Sequence, residues 1–231
     1  DGNTGARGVA TSYHSKLVPT WGYPGSDSHL SQGVNGSGRS YGIATGRYSA
    51  NSLNEVNTYL AKVKEYEAQQ DPKSFYGIEE KEWQKTVLQF GGGSEPSEIG
   101  IIDYYLTSFD NSLSDTLMGA NVHDYIKDPF SPTLDAQAFF EVQEYLSKGV
   151  SLMTFYGHSS AGGGFSQNLD SPDNWNNPGK YPMVVGLGCY AGDVHGVDTL
   201  NFANQLVNPA NEGAISLTST VKLGFITNIG Y

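Results

Sequence analysis

His158 and Cys189, an imidazole and the single thiol of the chain, are the residues best suited to chemistry. A thiolate is a far better nucleophile than a thiol, and a neighbouring imidazole both lowers a thiol's pKa and carries its proton. Each residue stands just past a β-branched, apolar run of strand length: Val-Ser-Leu-Met-Thr-Phe-Tyr at 150–156, and Pro-Met-Val-Val-Gly-Leu at 182–187. If the two runs are parallel neighbours, both side chains emerge side by side at one sheet edge. Ligand sites of open α/β sheets form at the carboxyl ends of the strands. The pair therefore predicts hydrolysis through a cysteine nucleophile.

A lone Cys ending a buried strand is more often inert packing, and a lone His has a similar default. Two features weigh against that here. The residues fall at equivalent places on successive strands, and small residues follow both: Ser159, Ser160 and Ala161 with three glycines after the His, Tyr190, Ala191, Gly192 and Asp193 after the Cys. Small residues admit a substrate backbone and expose peptide N–H groups. The N–H groups of Ser159 and Cys189 are thus candidate oxyanion donors. Trp175, Tyr190 and Asp193 are candidates for the substrate cleft.

Rival sites are weaker. Gly157, His158, Ser159, Ser160 and Ala161 imitate a G-x-S-x-G nucleophile elbow with Ala last, but that elbow must lead into a helix and here runs into glycines. Asp170, Asp173, Asn174 and Asn177 offer oxygen ligands for a structural calcium. Without EF-hand spacing a solvated polar loop is the preferred reading, and no cofactor is expected. His14, His29 and His123 lack ligand spacing, and His195 is close to Cys189 only in sequence.

The positioning elements follow from periodicity. Residues 1–40 read as an irregular N-terminal segment packed on the domain, and 41–231 as the catalytic α/β domain. Residues 43–46 are a short strand candidate. Leu53, Val56, Leu60 and Val63 recur at helical spacing within 51–69, with Ser49 or Asn51 available as N-cap. A strand at 86–90 ends in Gly91, Gly92 and Gly93, and a helix follows from about Ser97 through Leu106. A weaker strand lies in 116–126. The amphipathic helix at 134–148 stops at Gly149. After the His and Cys strands come a helix near 199–207 and a strand at 213–218. Such alternation predicts a mainly parallel sheet with helices on both faces.

Composition narrows the partners. With 24 acidic against 13 basic residues the net charge is −11, which repels phosphate backbones and argues against nucleic acid. A single Cys excludes an internal disulfide and a Cys-based zinc site. No apolar run is long enough to span a membrane. The 29 Gly and 15 Tyr suit an extracellular protein. Lacking an initiator Met and a signal peptide, the chain reads as a piece of a longer protein.

Tyr156-Gly157-His158 followed by Val184-Val185-Gly186-Leu187-Gly188-Cys189 resembles the gingipain family of cysteine peptidases, in the caspase-like clan. More narrowly it is similar to the sortase-like, gingipain-domain proteins of the type IX secretion system. Upstream, the resemblance extends through Thr45-Gly46-Arg47-Tyr48 and the helix ending Lys62-Val63-Lys64-Glu65-Tyr66-Glu67; downstream, through Gly213-Ala214-Ile215 and Thr218-Ser219-Thr220. It covers roughly residues 40–225. The resemblance implies a caspase-like three-layer α/β sandwich, His158 as general acid/base, Cys189 as nucleophile, a polypeptide substrate, and an extracellular or outer-membrane surface location among other domains of a parent protein. It also implies an acid that orients the His, for which Glu95 and Glu98 are the candidates. Ser159 stands where the family has Gly, and no counterpart is found for an acid selecting Arg or Lys. The rival expectation is an inactive caspase-like binding or structural module. Ser159 and the lack of an evident acidic partner favour it, and the presence of both His158 and Cys189 opposes it.

Overall fold

The computed structural model describes residues 20–21, 25–34, 36, 38, 42–71, 77–162, 164–167, 169, 171–194 and 201–224. Five strands form one all-parallel sheet: β1 (Thr86–Gly92), β2 (Asn121–Ile126), β3 (Leu152–Gly157), β6 (Met183–Leu187) and β7 (Ser216–Ser219), in the order β2-β1-β3-β6-β7. A small antiparallel hairpin, β4 (Ser159–Ser160) with β5 (Gly164–Phe165), stands directly beyond β3. Four helices matter to the argument: α1 (Leu53–Gln70), α2 (Pro96–Leu113), α3 (Ala136–Lys148) and α4 (Phe202–Val207).

β1 is buried at every position, as a strand flanked on both sides and covered on both faces must be. Its alternation sorts the two covering helices. Leu88 and Phe90 face α3, and share a core with Val142, Leu146, Met153, Phe155 and Val184. Gly91 faces α2 so closely that a Cβ would lie 2.7 Å from Ile102. Ile102, Leu106 and Tyr156 form the core on that side. The result is the predicted three-layer α/β sandwich. Over β6 the α2 face is open, and Met183 and Val185 are exposed.

Local chemistry sets the helix starts. Ser52 caps α1 by accepting the Glu55 N–H (3.2 Å), and Asp135 caps α3 by accepting that of Ala138 (2.9 Å). Lys62, on α1 and buried, donates to the carbonyls of Val207, Pro209 and Glu212 (3.1, 3.2 and 2.6 Å), tying α1 to the turn between α4 and β7.

Three strand readings differ by more than two residues, and α2 runs on to Leu113, past the expected Leu106. Residues 43–46 form no strand: Ile43 is exposed and its carbonyl takes side-chain hydroxyls, Ser31 at 2.7 Å and Thr45 at 3.1 Å. β2 starts only at Asn121, because Asp115 Oδ1 accepts the N–H groups of Leu117 and Met118 (both 2.9 Å) and turns the chain first. β7 starts at Ser216, because Gly213 takes a left-handed turn (φ 79°) that sends the Ala214 N–H to Leu206. Residues 1–19 lie outside the described residues. Further along, Asp27 and Arg47 pair through two bonds of 2.6 and 2.8 Å, fastening the early segment to the chain before α1.

Candidate active site

Register brings His158 and Cys189 together. Tyr156 pairs with Leu187 across β3 and β6, and each candidate stands two residues further on. Both therefore leave the sheet at one level, from adjacent strands about 4.8 Å apart. The chain passes from β1 outward to β2 and returns to β3 on the other side of β1. The segments after β1 and β3 thus diverge, and a crevice opens between them, as at other topological switch points. A cavity of about 200 Å³ occupies it, lined by His158, Cys189, Glu98, Ile102, Tyr156 and Leu187 with glycine backbone between them.

His158 is held by its backbone and aimed by its ring. Its N–H donates to Gly92 O (3.0 Å) and its carbonyl accepts from Ser166 N (2.9 Å). Its Nε2 lies 3.2 Å from Glu98 Oε2. Glu98 sits in the first turn of α2, where a negative charge is favoured. The Ser94 N–H, donating to Oε2 at 2.7 Å, is the main reason this carboxyl is held below the usual carboxylate range. Partial burial opposes the shift, and the contact with His158 adds to it. Glu95, the other candidate, is the exposed N-cap residue of α2 and lies outside the cavity lining.

Cys189 is half-buried, with Sγ 3.7 Å from the carbonyl of Gly224. The chain turns sharply after it: Tyr190 has φ 60° and donates its N–H to Lys222 O (2.8 Å). Gly192 N–H donates to Thr220 O (2.9 Å), and the Thr220 hydroxyl donates to Gly188 O, so the segment after β7 laces onto the Cys loop. The Ser159 hydroxyl donates to Cys189 O at 2.9 Å, joining the two loops directly. His158 and Ser166 are the hydrogen-bonded pair of the hairpin, so Ser159, opposite Phe165, occupies a non-hydrogen-bonded position. The ladder does not take its N–H.

Sequence reading missed the groups that hold this site from behind. Gly91 O accepts the Lys127 N–H (3.0 Å) and the Gln167 amide; Gly93 O accepts Lys127 Nζ (2.9 Å). Both side chains are buried, and no local pattern marks them. It also missed Tyr156 and Leu187 as lining residues, although strand alternation puts them on the side of the residues two positions on. Trp175 is buried in the core with Phe165 and lines a separate cavity. Tyr190 and Asp193 flank the Cys turn but do not line the cavity beside His158 and Cys189.

Among the calcium candidates, Asp170 lies outside the described residues. Asp173 and Asn174 belong to an exposed 3₁₀ turn, and Asn177 donates to the carbonyls of Gly213 (2.9 Å) and Lys180 (3.4 Å). No group of three or more His, Cys, Asp or Glu placed to hold a metal ion occurs among the described residues. His14 and His195 lie outside them. His123 stacks on Tyr145 (4.2 Å between rings), and His29 Nδ1 meets Gln32. No helix of the described residues is long and apolar enough to cross a membrane.

The sequence model of peptidase family C25 matches residues 4–230. No curated protein matches the chain. Among solved structures, the complex of Porphyromonas gingivalis RgpB pro- and mature domains aligns at TM-score 0.63 with 15% identity, covering 90% of this chain and 48% of that one. The Arg-specific cysteine proteinase gingipain R (RgpB) aligns at TM-score 0.61 with 15% identity, covering 91% and 47%. A structure described as a protease aligns at TM-score 0.54 with 19% identity, covering 76% and 36%. These likenesses are of fold, and the chain spans less than half the length of each of the three.

Proposed function

The chain belongs to peptidase family C25, and from that premise we propose that it cuts peptide bonds with Cys189 as nucleophile and His158 as general acid/base. The observation that carries this reading is the grouping of Cys189, His158 and Glu98 on one cavity at the sheet's carboxyl edge. Glu98 engages Nε2, so Nδ1 is the ring atom left to serve the reaction. Cys189 passes its proton to Nδ1, Sγ attacks the peptide carbonyl, the C–N bond breaks, and the imidazolium gives that proton to the departing amine. The same nitrogen then takes a proton from water, which attacks the thioester and returns Cys189. The N–H groups of Cys189 and Ser159 receive the oxyanion in both halves. An amine in place of water would make the same acyl-enzyme a transpeptidase.

On this reading the protein works outside the cell or at the outer-membrane surface, after type IX secretion, beside other domains of a longer chain. The resemblance to gingipain-domain proteins supports that setting.

The test is alkylation of Cys189 by iodoacetamide at pH 7, followed by mass spectrometry, in the native chain and in His158→Ala. We expect the variant to react at least about tenfold more slowly, since only the thiolate reacts. Hydrolysis of a mixed peptide library should vanish in Cys189→Ala. Equal, slow alkylation in both proteins together with an uncut library would leave a binding module.

A further inference from the structure

The cavity at the dyad is built to choose a side chain. When a peptide carbonyl sits at Sγ with its amine toward His158, the side chain on the acyl side falls into the space both residues line. Tyr156 and Leu187, register partners two residues before His158 and Cys189, form its floor, and Ile102 of α2 closes it. At about 200 Å³ it is smaller than the roughly 300 Å³ at which small-molecule sites begin, and takes one side chain.

Its charges are already committed. Apart from Cys189 and Tyr156, the ionisable groups of the described lining are Glu98 and His158, which hold each other at 3.2 Å, with Ser94 N–H on the same Glu98 oxygen at 2.7 Å. The Tyr156 phenol stays neutral, pushed up to about 12 by burial. A guanidinium or ammonium entering here would have to take Glu98 from His158. A carboxylate would meet Glu98 with no further cation among the described lining residues to balance it. Either charge would enter without a partner of its own, and the apolar side chains of Leu187 and Ile102 offer it none.

We propose that this cavity selects an aliphatic residue of valine-to-leucine size on the acyl side of the scissile bond, with Tyr156 and Leu187 as the specificity-determining residues. The proposal rests on the cysteine-peptidase reading. It is tested with peptidyl acyloxymethyl ketones carrying Val, Leu, Phe, Arg, Lys or Asp at that position, the rate of Cys189 labelling being followed by mass spectrometry.

We expect the Val and Leu reagents to label about 100-fold faster than Arg, Lys or Asp, within the range a shaped apolar pocket can discriminate. Leu187→Asp, checked for folding by circular dichroism, puts a carboxylate on that floor and should raise labelling by the Arg and Lys reagents at least about tenfold relative to Leu. Faster labelling by Phe, Arg, Lys or Asp reagents than by Val and Leu in the native chain overturns the proposal while leaving the nucleophile in place. So does an unchanged preference in a folded Leu187→Asp. Labelling no faster than in His158→Ala with every reagent overturns the peptidase reading, and the selectivity with it.

Discussion

Glu95 and Glu98 lie one helical turn apart, yet a single backbone donor separates their roles. Ser94 N–H turns the Glu98 carboxylate back over the start of α2, and from there it reaches His158. Because that N–H is the largest cause of the lowered Glu98 pKa, removing it should matter more than removing the imidazole. In ¹³C NMR titrations of the side-chain carboxyls, Ser94→Pro should raise the Glu98 midpoint further than His158→Ala does. The opposite order would mean that the ion pair, not the turn, keeps the acid ionised. The sign for function follows. A depressed carboxyl makes its contribution in full above the ordinary value of about 4.3, and loses it only as pH falls through the lower folded value. The hold on His158 should therefore persist through the ordinary carboxylate range and fail only below it. Of this site the sequence showed His158 and Cys189, since each follows its own strand. It could not separate Glu98 from Glu95, because that choice depends on how a three-glycine turn folds back. Nor could it put Trp175 in the core, because an aromatic residue in a long loop carries no sign of the face it covers.

At the scale of elements, the central strands and the two amphipathic helices were legible from periodicity, and the misplaced ends share a cause. Asp115 and Gly213 use turn chemistry to hold back β2 and β7, and such turns override a run of β-prone residues. The contact of β1 with α2 was not legible, because a glycine shows what it avoids only once its neighbours are placed. Gly91→Ala should drive a methyl group against Ile102, Ile126 and Leu106, at 2.7, 3.1 and 3.2 Å. We expect a loss of about 1–3 kcal/mol in urea unfolding, as for other overpacked sites. A neutral result would show that α2 can ride away from the sheet. Lys127 acts on the same turn from the side of β2, through Gly93 O. Lys127→Met should lower kcat about 10- to 100-fold by letting the end of β1 shift under His158, with KM changed far less. A proportional loss in KM would instead place the effect on the substrate cavity.

Across the whole molecule, Lys62 is the residue on which distant parts depend, since one ammonium holds α1, the end of α4 and the entry to β7. Its removal in Lys62→Met should cost about 2–4 kcal/mol at pH 7, because carbonyls at Val207, Pro209 and Glu212 lose their donor. Burial pushes its pKa down to about 7 from an ordinary 10.5, against the pull of Glu212 and Glu65. Between those two values the unfolded chain holds a proton that the folded chain has released, so stability must rise with pH across that window. Below about 7 both states are charged and the full cost of burying the ammonium applies; above 10.5 neither is charged and that cost is gone. Measured by urea unfolding from pH 7 to 9.5, below the range in which the tyrosines titrate, the native chain should gain stability relative to Lys62→Met. Parallel curves would mean that the three carbonyls bind the proton as firmly as water does. The Lys62 contacts would then be a permanent ionic cap on α4 rather than one that weakens its hold on the proton when the chain folds.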